Sequence, residues 1–433
     1  MSLEKFITDI LNIESEKIEK LNSVDLHDNS ILIKVRLKHE CEIKCPLCKN
    51  EKVKIHGYSK RTLIHSTLVN RKCTILYEQR RYKCDICELT FSEKNPFINT
   101  SENVTYETKI NVLKDLKYVY NTYTSVALRY NLSITKVQRI FDKHVQIERK
   151  DLPEALSIDE HYFPESDYDS LYCCLLMNFE NGEMIDILPD RMKDFLAGYF
   201  TKIKLKTLND ETNISELDNV KYVSIDLYDN YKSIAEIYFP KALICADSFH
   251  VIKNLTDAFR DVRLRCRRKT EDENLQYLLS KFRFIFHHGM ELDNEAKFNK
   301  RFNRYMNYRD IQELLFQNFP DLKLAYELKE NYIHFNQTSS IDNAKEKLAD
   351  QIRAFGEANI KEYDEFYNLL INWNQEIINS FTIIKNRRIN NSYIESRNSL
   401  LEKLLLNANG FRNFKRTRNR ILYCLNKKDT FKI

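Results

Sequence analysis

The chain has 433 residues and a formal net charge of +5; 43% of its residues are hydrophobic and 30% are charged. These values are typical of two to four folded domains and exclude wholesale disorder. The six glycines lie at least 16 residues apart. This spacing excludes a Walker phosphate loop, a dinucleotide-binding glycine cluster and a Gly-x-Ser-x-Gly elbow.

Charge is distributed unevenly along the chain. Basic residues outnumber acidic ones by 12 to 6 in segment 41–99, by 9 to 3 in 108–150 and by 13 to 3 in 385–433. In 151–220 the acids outnumber the bases by 16 to 5. A single charged run is often only a solvated face, but three basic blocks around an acidic one suit a polyanion-binding protein with a carboxylate-rich site.

Two Cys-x-x-Cys pairs dominate the first hundred residues. An alternating strand is predicted at 31–38, and strand-like runs at 62–68 and 73–82 lie between the pair Cys45 and Cys48 and the pair Cys84 and Cys87. Two such pairs joined through hairpins predict a zinc ribbon with a structural four-cysteine Zn²⁺ site. Redox motifs are the alternative, but no βαβ pattern surrounds them. Cys41 and Cys73 are not expected to be ligands.

Residues 104–150 read as helical. A helix at 124–130, a turn at 131–133 and a helix at 134–144 predict a helix-turn-helix, although a plain helical bundle would give the same pattern. Hydroxyl, amide and cationic side chains would face the DNA from the second helix: Thr135, Lys136, Gln138, Arg139 and Lys143.

After Pro153 the pattern changes to short strands, predicted at 155–163, 171–179 and 184–188. A helix at 192–207, a strand at 220–226, a helix at 230–238 and a strand at 242–246 follow. This order is that of an RNase H-like fold. Residues 255–379 read as a helical insertion without a convincing strand, and 390–427 as a basic helical segment.

Three acids of this region are candidate metal ligands. Asp159 and Asp226 lie in or at the ends of strands predicted to be neighbours. Glu395 lies on a helix face that it shares with Asn391, Asn398 and Glu402. Clustered carboxylates select Mg²⁺ or Mn²⁺, and two such ions can stabilise the attacking and leaving oxygens of phosphoryl transfer. Singly, each acid could be an exposed residue or a helix cap.

Asp247 is an alternative second ligand, because it also follows a predicted strand. His250, three residues later, either hydrogen-bonds a scissile phosphate or orients Asp226 without binding the metal itself. The alternative is an ordinary histidine at a helix start. Further cations are expected to contact DNA phosphates, on one helix at Lys253, Arg260, Arg263 and Arg267, and in the tail at Arg412, Lys415, Arg416, Arg418 and Arg420. Pairing with Asp257 and Asp261 is the alternative for the first group.

In chain order, the ribbon, the helix-turn-helix and the motifs Ser-Ile-Asp-Glu, Val-Ser-Ile-Asp, Ala-Asp-Ser-Phe-His and Asn-Ser-Tyr-Ile-Glu-Ser-Arg-Asn resemble the insertion-sequence transposases of the ISL3 family. The resemblance implies a DDE transposase with Asp159, Asp226 and Glu395 as its triad. It also implies that the N-terminal domains read the terminal inverted repeats, and that synapsis of two ends requires a homodimer or larger assembly.

The predicted architecture is multidomain α+β. Its segments are the zinc-ribbon region 1–100, the helix-turn-helix domain 101–150, the first part of an RNase H-like core 151–254, an all-helical insertion 255–385, and the glutamate helix with a basic tail 386–433. No apolar run is long enough to span a membrane and no signal peptide is recognised, so we expect a cytoplasmic, nucleoid-associated bacterial enzyme. The alternative function is a catalytically inactive DNA-binding protein derived from a transposase.

Overall fold

The computed structural model describes residues 8, 11, 13–39, 42–68, 71–99, 102–163, 170–209, 212–408 and 413–433. The chain forms two compact units. The first consists of Met1–Glu148 together with Leu400–Ile433, and the second of Arg149–Ser399. Segment 386–433, predicted to hold the glutamate helix of the core and a basic tail, is divided between the two units at Leu400.

The first unit begins with a sheet of five strands: β1 (Ile18–Asp25), β2 (Ile31–Leu37), β3 (Val53–Leu68), β4 (Arg71–Cys84) and β5 (Thr90–Ser92). The order is β1-β2-β4-β3, with β5 paired to β4. The run predicted at 62–68 is the end of the much longer β3, which forms an antiparallel hairpin with β4. Alternate residues of β4, including Ile75 and Tyr77, are fully buried, as the period of a strand requires.

Three helices follow in this unit: α1 (Tyr106–Leu116), α2 (Tyr123–Arg129) and α3 (Ile134–His144). Thr122 caps α2 through the backbone N–H of Ser125, and Ser133 caps α3 through that of Lys136. Asn131, with φ of 52°, turns the chain between α2 and α3. The predicted helix, turn and helix are present at these positions.

The second unit is built around a mixed sheet of five strands: β6 (Ala155–Tyr162), β7 (Tyr172–Asn178), β8 (Met184–Leu188), β9 (Tyr222–Ile225) and β10 (Leu243–Ala246). The order is β10-β9-β6-β7-β8. The pairs β6–β7 and β7–β8 are antiparallel, whereas β6–β9 and β9–β10 are parallel. Helices α4 (Lys193–Thr207) and α5 (Asp229–Tyr238) connect β8 to β9 and β9 to β10.

The remainder of this unit is mostly helical. Its helices are α6 (Ser248–Lys269), α7 (Glu273–Lys281), α8 (Tyr308–Asn318), α9 (Pro320–Thr338), α10 (Ile341–Glu357), α11 (Asp364–Asn372) and α12 (Asn374–Asn379). The prediction of an insertion without strands was wrong in one place. A hairpin of β11 (Lys297–Asn299) and β12 (Arg304–Met306) lies between α7 and α8.

A second short hairpin, β13 (Ile383–Ile384) with β14 (Arg387–Arg388), precedes helix α13 (Ser392–Ala408). The division between the two units falls within α13. The last helix, α14 (Phe414–Leu425), belongs to the first unit: the Tyr423 hydroxyl donates to the Leu113 carbonyl of α1, and its ring meets Phe141 of α3 edge-on. Among the described residues, no helix combines the length and the apolarity that a membrane crossing needs.

Candidate active site

Strand register brings three aspartates together at one edge of the second unit's sheet. Ile158 of β6 is opposite Ile225 of β9, and Ile225 is opposite Ala246 of β10. The residues that follow these three are Asp159, Asp226 and Asp247. Since both pairings are parallel, the three acids occupy equivalent positions on adjacent strands.

All three carboxyl groups are buried: Asp159 is 5% exposed, Asp226 8% and Asp247 1%. Burial, together with the negative charge of Asp226, raises the pKa of Asp159 to about 9. Burial also raises the pKa of Asp247, against the opposing effect of His250. Without a cation, Asp159 therefore retains its proton at neutral pH.

His250 lies on the first turn of α6 and faces the same acids. Its Nδ1 is 2.9 Å from Asp226 Oδ1 and 4.0 Å from Asp247 Oδ2. Burial lowers the pKa of His250, but the hydrogen bond and charge of Asp226 outweigh that effect and raise it overall. Ligand atoms of Asp226, Asp247 and His250 all lie within 4.8 Å of one another, close enough for one metal ion.

Helix α13 and the residue before it complete the arrangement. Asn391 Nδ2 donates to Asp226 Oδ1 at 3.1 Å, and the Asn391 backbone N–H donates to Asp247 Oδ1 at 3.3 Å. Asn398 Nδ2 donates to Asp159 Oδ2 at 2.9 Å. Glu395 lies between these two asparagines in sequence, and burial followed by the charge of Asp247 raises its pKa. The predicted glutamate helix thus adjoins the three aspartates.

The two asparagines were assigned no role from sequence. Their spacing of seven residues, with Glu395 between them, placed all three on one helix face, and that was the available signal. The sequence could not indicate that their amides would bind the two aspartates.

Several buried oxygen atoms at this site have no hydrogen-bond partner, so the site is suited to a hard cation. Four buried side-chain oxygens have no hydrogen-bond partner: Asp247 Oδ2, Asn391 Oδ1, Glu395 Oε1 and Asn398 Oδ1. A buried acceptor without a partner is unfavourable, and carboxylate and amide oxygens are the ligands preferred by Mg²⁺ and Mn²⁺. The donor set therefore fits a divalent metal of this class.

The four cysteines of the first unit also converge. Cys45 and Cys87 sulfurs are 3.5 Å apart, Cys48 and Cys84 sulfurs are 3.6 Å apart, and all four lie within 4.8 Å of one another. Burial opposes ionisation of Cys45, but the backbone N–H groups of Cys48 and Leu47 outweigh it and lower the pKa of the thiol to about 7. Four thiols at this separation, with a stabilised thiolate, can hold one metal ion. Cys73 lies apart from them, buried within β4.

The predicted recognition residues lie on α3, where Thr135, Arg139 and Lys143 are exposed and Lys136 and Gln138 are half-buried. All of them except Gln138 border a cavity of about 320 Å³ whose other wall includes Glu102 and Asn103. Lys143 pairs with Glu102, and Lys136 donates to Asn103. In the absence of DNA, these two cations are therefore bound by neighbouring side chains of the protein.

The predicted cationic stripe on α6 is interrupted. Lys253 and Arg267 are exposed, but Arg260 pairs with Asp257 at 2.7 Å, which is the alternative considered from sequence. Arg263 is only 8% exposed and donates to the Leu279 carbonyl, so it packs inside the second unit.

The tail cations are also mostly engaged. Arg416 pairs with Asp142, Arg418 donates to the Ile147 carbonyl, and Arg420 is 2% exposed with its guanidinium on two carbonyls. Lys415 is exposed, and Arg412 lies outside the described residues. In this arrangement, Arg420 stabilises the first unit instead of facing solvent.

Residues 156–421, more than half of the chain, match the family model of the ISL3-type DDE transposases, described as "Transposase". The chain belongs to the ISL3 family of transposases. The match includes the three sheet aspartates, His250 and Glu395, so this transposase carries its carboxylate cluster within the region that defines the family. No curated protein matches the chain.

Proposed function

We propose that this transposase binds the terminal inverted repeats of an insertion sequence and catalyses metal-dependent strand cleavage and strand transfer by a DDE mechanism. The observation that supports the proposal is the adjacency of Asp159 and Asp226 at the ends of paired strands, beside buried oxygens that have no partner. Glu395 is near enough for the charges of Asp247 and Asp226 to raise its pKa. The strand order of the second unit supports an RNase H-like core.

In this proposal Asp159, Asp226 and Glu395 hold two Mg²⁺ or Mn²⁺ ions. When bound, these ions activate the attacking oxygen and stabilise the leaving oxygen of an in-line phosphoryl transfer. Asn391 and Asn398 orient the aspartates by donating to one oxygen of each. The other oxygen of Asp159 accepts from the backbone N–H of Glu160, which holds that carboxyl group from a second side. His250 donates to Asp226 and provides a positive charge near the scissile phosphate.

Asp247 is retained as the alternative second ligand. One of its oxygens is occupied, since Oδ1 accepts from the backbone N–H groups of Phe249 and Asn391. This makes Asp247 a cap that joins α6 to the glutamate segment, while its unpartnered Oδ2 is still directed at the cluster. Asp226 is preferred because it lies between Asp159 and His250.

Recognition of DNA is assigned to the first unit. The exposed hydroxyl and cations of α3 are suited to the major groove, and the four-cysteine site is proposed to bind a structural Zn²⁺ that holds the ends of the long β3–β4 hairpin. Opening of the Lys143–Glu102 pair would free a cation for a phosphate or base. A homodimer or larger assembly is proposed for synapsis of the two ends.

The direct test is cleavage and strand transfer of labelled DNA that carries the flanking ends of the element encoding this chain, with Mg²⁺ or Mn²⁺. We expect Asp159→Asn, Asp226→Asn and Glu395→Gln to lose both reactions while still binding the ends. Asn391→Ala should lower the rate about 10- to 100-fold, as expected for a residue that orients a ligand. The matched control is Glu402→Gln, an exposed acid on the same helix as Glu395, which should retain activity.

Activity retained in Asp226→Ala but lost in Asp247→Ala would reassign the second ligand. Specific binding of the ends by the wild type without any cleavage, under both metals, would instead favour the inactive DNA-binding protein.

A further inference from the structure

The hairpin of β11 and β12 projects an aromatic pair from the second unit. Phe298 and Tyr305 are directly opposite each other across the two strands, with ring centroids 5.4 Å apart and planes at 63°. Phe298 is 50% exposed and Tyr305 70% exposed. Two large rings packed together and exposed to solvent form an apolar patch of the kind that marks interaction sites.

The turn of this hairpin is held in one conformation. Asn299 accepts from the backbone N–H of Arg301 through its side chain at 3.1 Å and from that of Phe302 through its carbonyl at 3.2 Å. Asn303 has φ of 48°, which an asparagine tolerates better than most residues. Met306, at the end of β12, is 3% exposed and anchors the strand in the core. The turn and the buried Met306 therefore hold the hairpin, and with it the two rings, in a defined position.

The same hairpin carries four cations, of which Lys297 and Arg304 alternate with the rings along the strands and lie on the other face of the ribbon. Lys297, Lys300, Arg301 and Arg304 are all exposed, and no acid occurs between 297 and 306. Arg301 lies over the Tyr277 ring, whereas Lys297, Lys300 and Arg304 have no ion-pair partner among the described residues. Of the nearest acids before the hairpin, Asp293 is bound to Arg309 and Glu295 is exposed. The hairpin thus carries exposed rings on one face, with exposed cations at its turn and on its other face.

We propose that the hairpin Lys297–Met306 is a DNA-contact element, in which Phe298 and Tyr305 stack on an unpaired nucleobase and the adjacent cations bind backbone phosphates. Rings flanked by free cations suit single-stranded nucleic acid, because every base has a face for stacking and every linkage has a negative charge. Bases inside a duplex are already stacked, whereas a nicked or cleaved end exposes one. The inference rests on the proposed function only in taking DNA as the ligand, and it is independent of the metal chemistry.

The only tryptophan is not suited to stack on an unpaired base. Trp373 is 6% exposed and packs in the core, with the Lys232 ammonium 5.1 Å from its ring centroid. A base could not reach its face without local unfolding. Among the described residues, the hairpin instead combines exposed rings with cations that lack acidic partners.

The test uses the full chain carrying Asp159→Asn, so that DNA is bound but not cut. The probes are a short blunt duplex and the same duplex with an unpaired extension containing 2-aminopurine. We expect tighter binding of the extended DNA and quenched 2-aminopurine fluorescence. The double change Phe298→Leu with Tyr305→Leu, which keeps apolar volume but removes the rings, should weaken binding of the extended DNA about 5- to 150-fold and leave the blunt duplex nearly unaffected.

Tyr305→Phe retains a ring and should retain the preference for the extension. Lys297→Gln and Arg304→Gln should weaken both DNAs and make the logarithmic salt dependence shallower by about 0.7–0.9 per lost phosphate contact. Lys345→Gln, an exposed lysine on α10, is the matched control and should change neither quantity.

Equal affinity of the wild type for both probes, or leucine variants that bind the extension as the wild type does, would overturn the proposal. A change of oligomeric state in the leucine variants, with DNA binding intact, would assign the rings to a protein interface and overturn it as well. If cleavage assays contradict the DDE triad while the extension is still preferred, the proposed mechanism fails and this inference stands.

Discussion

Replacement of Arg420 tests whether the basic tail is part of the folded DNA-binding unit. Arg420 is 2% exposed on α14, and its Nη2 lies 3.1 Å from the Tyr118 carbonyl and 2.7 Å from the Asn121 carbonyl. Both carbonyls belong to the connection between α1 and α2, so Arg420 joins the last helix to the helices that carry α3. We predict that Arg420→Met destabilises the first unit.

The magnitude follows from the contacts that are lost. Methionine retains most of the aliphatic stem, so the main losses are two charge-assisted hydrogen bonds to partly buried backbone carbonyls. Arg420→Met also removes the desolvation cost of a buried guanidinium, and this offsets part of the loss. The free energy of unfolding should therefore decrease by about 2–4 kcal/mol. For a unit of this size, that corresponds to a melting temperature lower by roughly 4–16 °C.

Calorimetry of the full chain measures this change, with Lys415→Met as the control. Lys415 is exposed on the same helix and has no ion-pair partner among the described residues, so its replacement should leave the melting temperature unchanged. The reasoning is refuted if Arg420→Met melts like the wild type but binds duplex DNA more weakly, with a shallower salt dependence. That result would make Arg420 the phosphate contact predicted from sequence.

Three further outcomes are expected. Because the folded-state pKa of Asp159 is raised to about 9, the metal-free protein should lose stability as the pH rises from about 4 to about 9, by at most about 1.4 kcal/mol per pH unit. In calorimetric scans, Asp159→Asn should flatten this dependence and remove the stabilisation by Mg²⁺. Cys84→Ser should abolish the binding of one Zn²⁺ per chain, measured by elemental analysis, and lower the stability of the first unit. Gly182→Ala should slow cleavage without abolishing DNA binding, since a Cβ there would lie 3.3 Å from the Tyr393 ring, two residues before Glu395, at a backbone φ of 67°.

The sheet and its acids were predictable because the relevant signals are local. Strands β6 to β10 are buried runs bounded by turn residues, and helices follow β8 and β9 at the expected lengths. Parallel pairing then places Asp159, Asp226 and Asp247 side by side, whatever the rest of the chain does. From sequence, Asp226 is preferred to Asp247 because its strand is predicted to lie beside that of Asp159. The hydrogen bonds from the Asn391 amide and backbone to these two acids could not be predicted.

The tail shows where charge patterns mislead. No acid lies near Arg416 and Arg420 in sequence, and this favoured contacts with DNA phosphates. In the structure Arg416 pairs with Asp142, and Arg420 binds backbone carbonyls. Asp142 is remote from Arg416 in sequence, and every residue carries a backbone carbonyl. The local composition therefore cannot reveal either kind of partner.

The β11–β12 hairpin was missed for a different physical reason. Phe298, Phe302 and Tyr305 recur at intervals of four and three residues, the period of an amphipathic helix, and this run lies within a long helical stretch. The deciding signals were the asparagines. Asn299 closes the turn through its side chain and Asn303 adopts a positive φ, so the chain reverses where a helix would have continued. The reversal turns rings that would have packed along one helix face into a cross-strand pair that faces solvent, and this geometry makes the segment a candidate contact for an unpaired base.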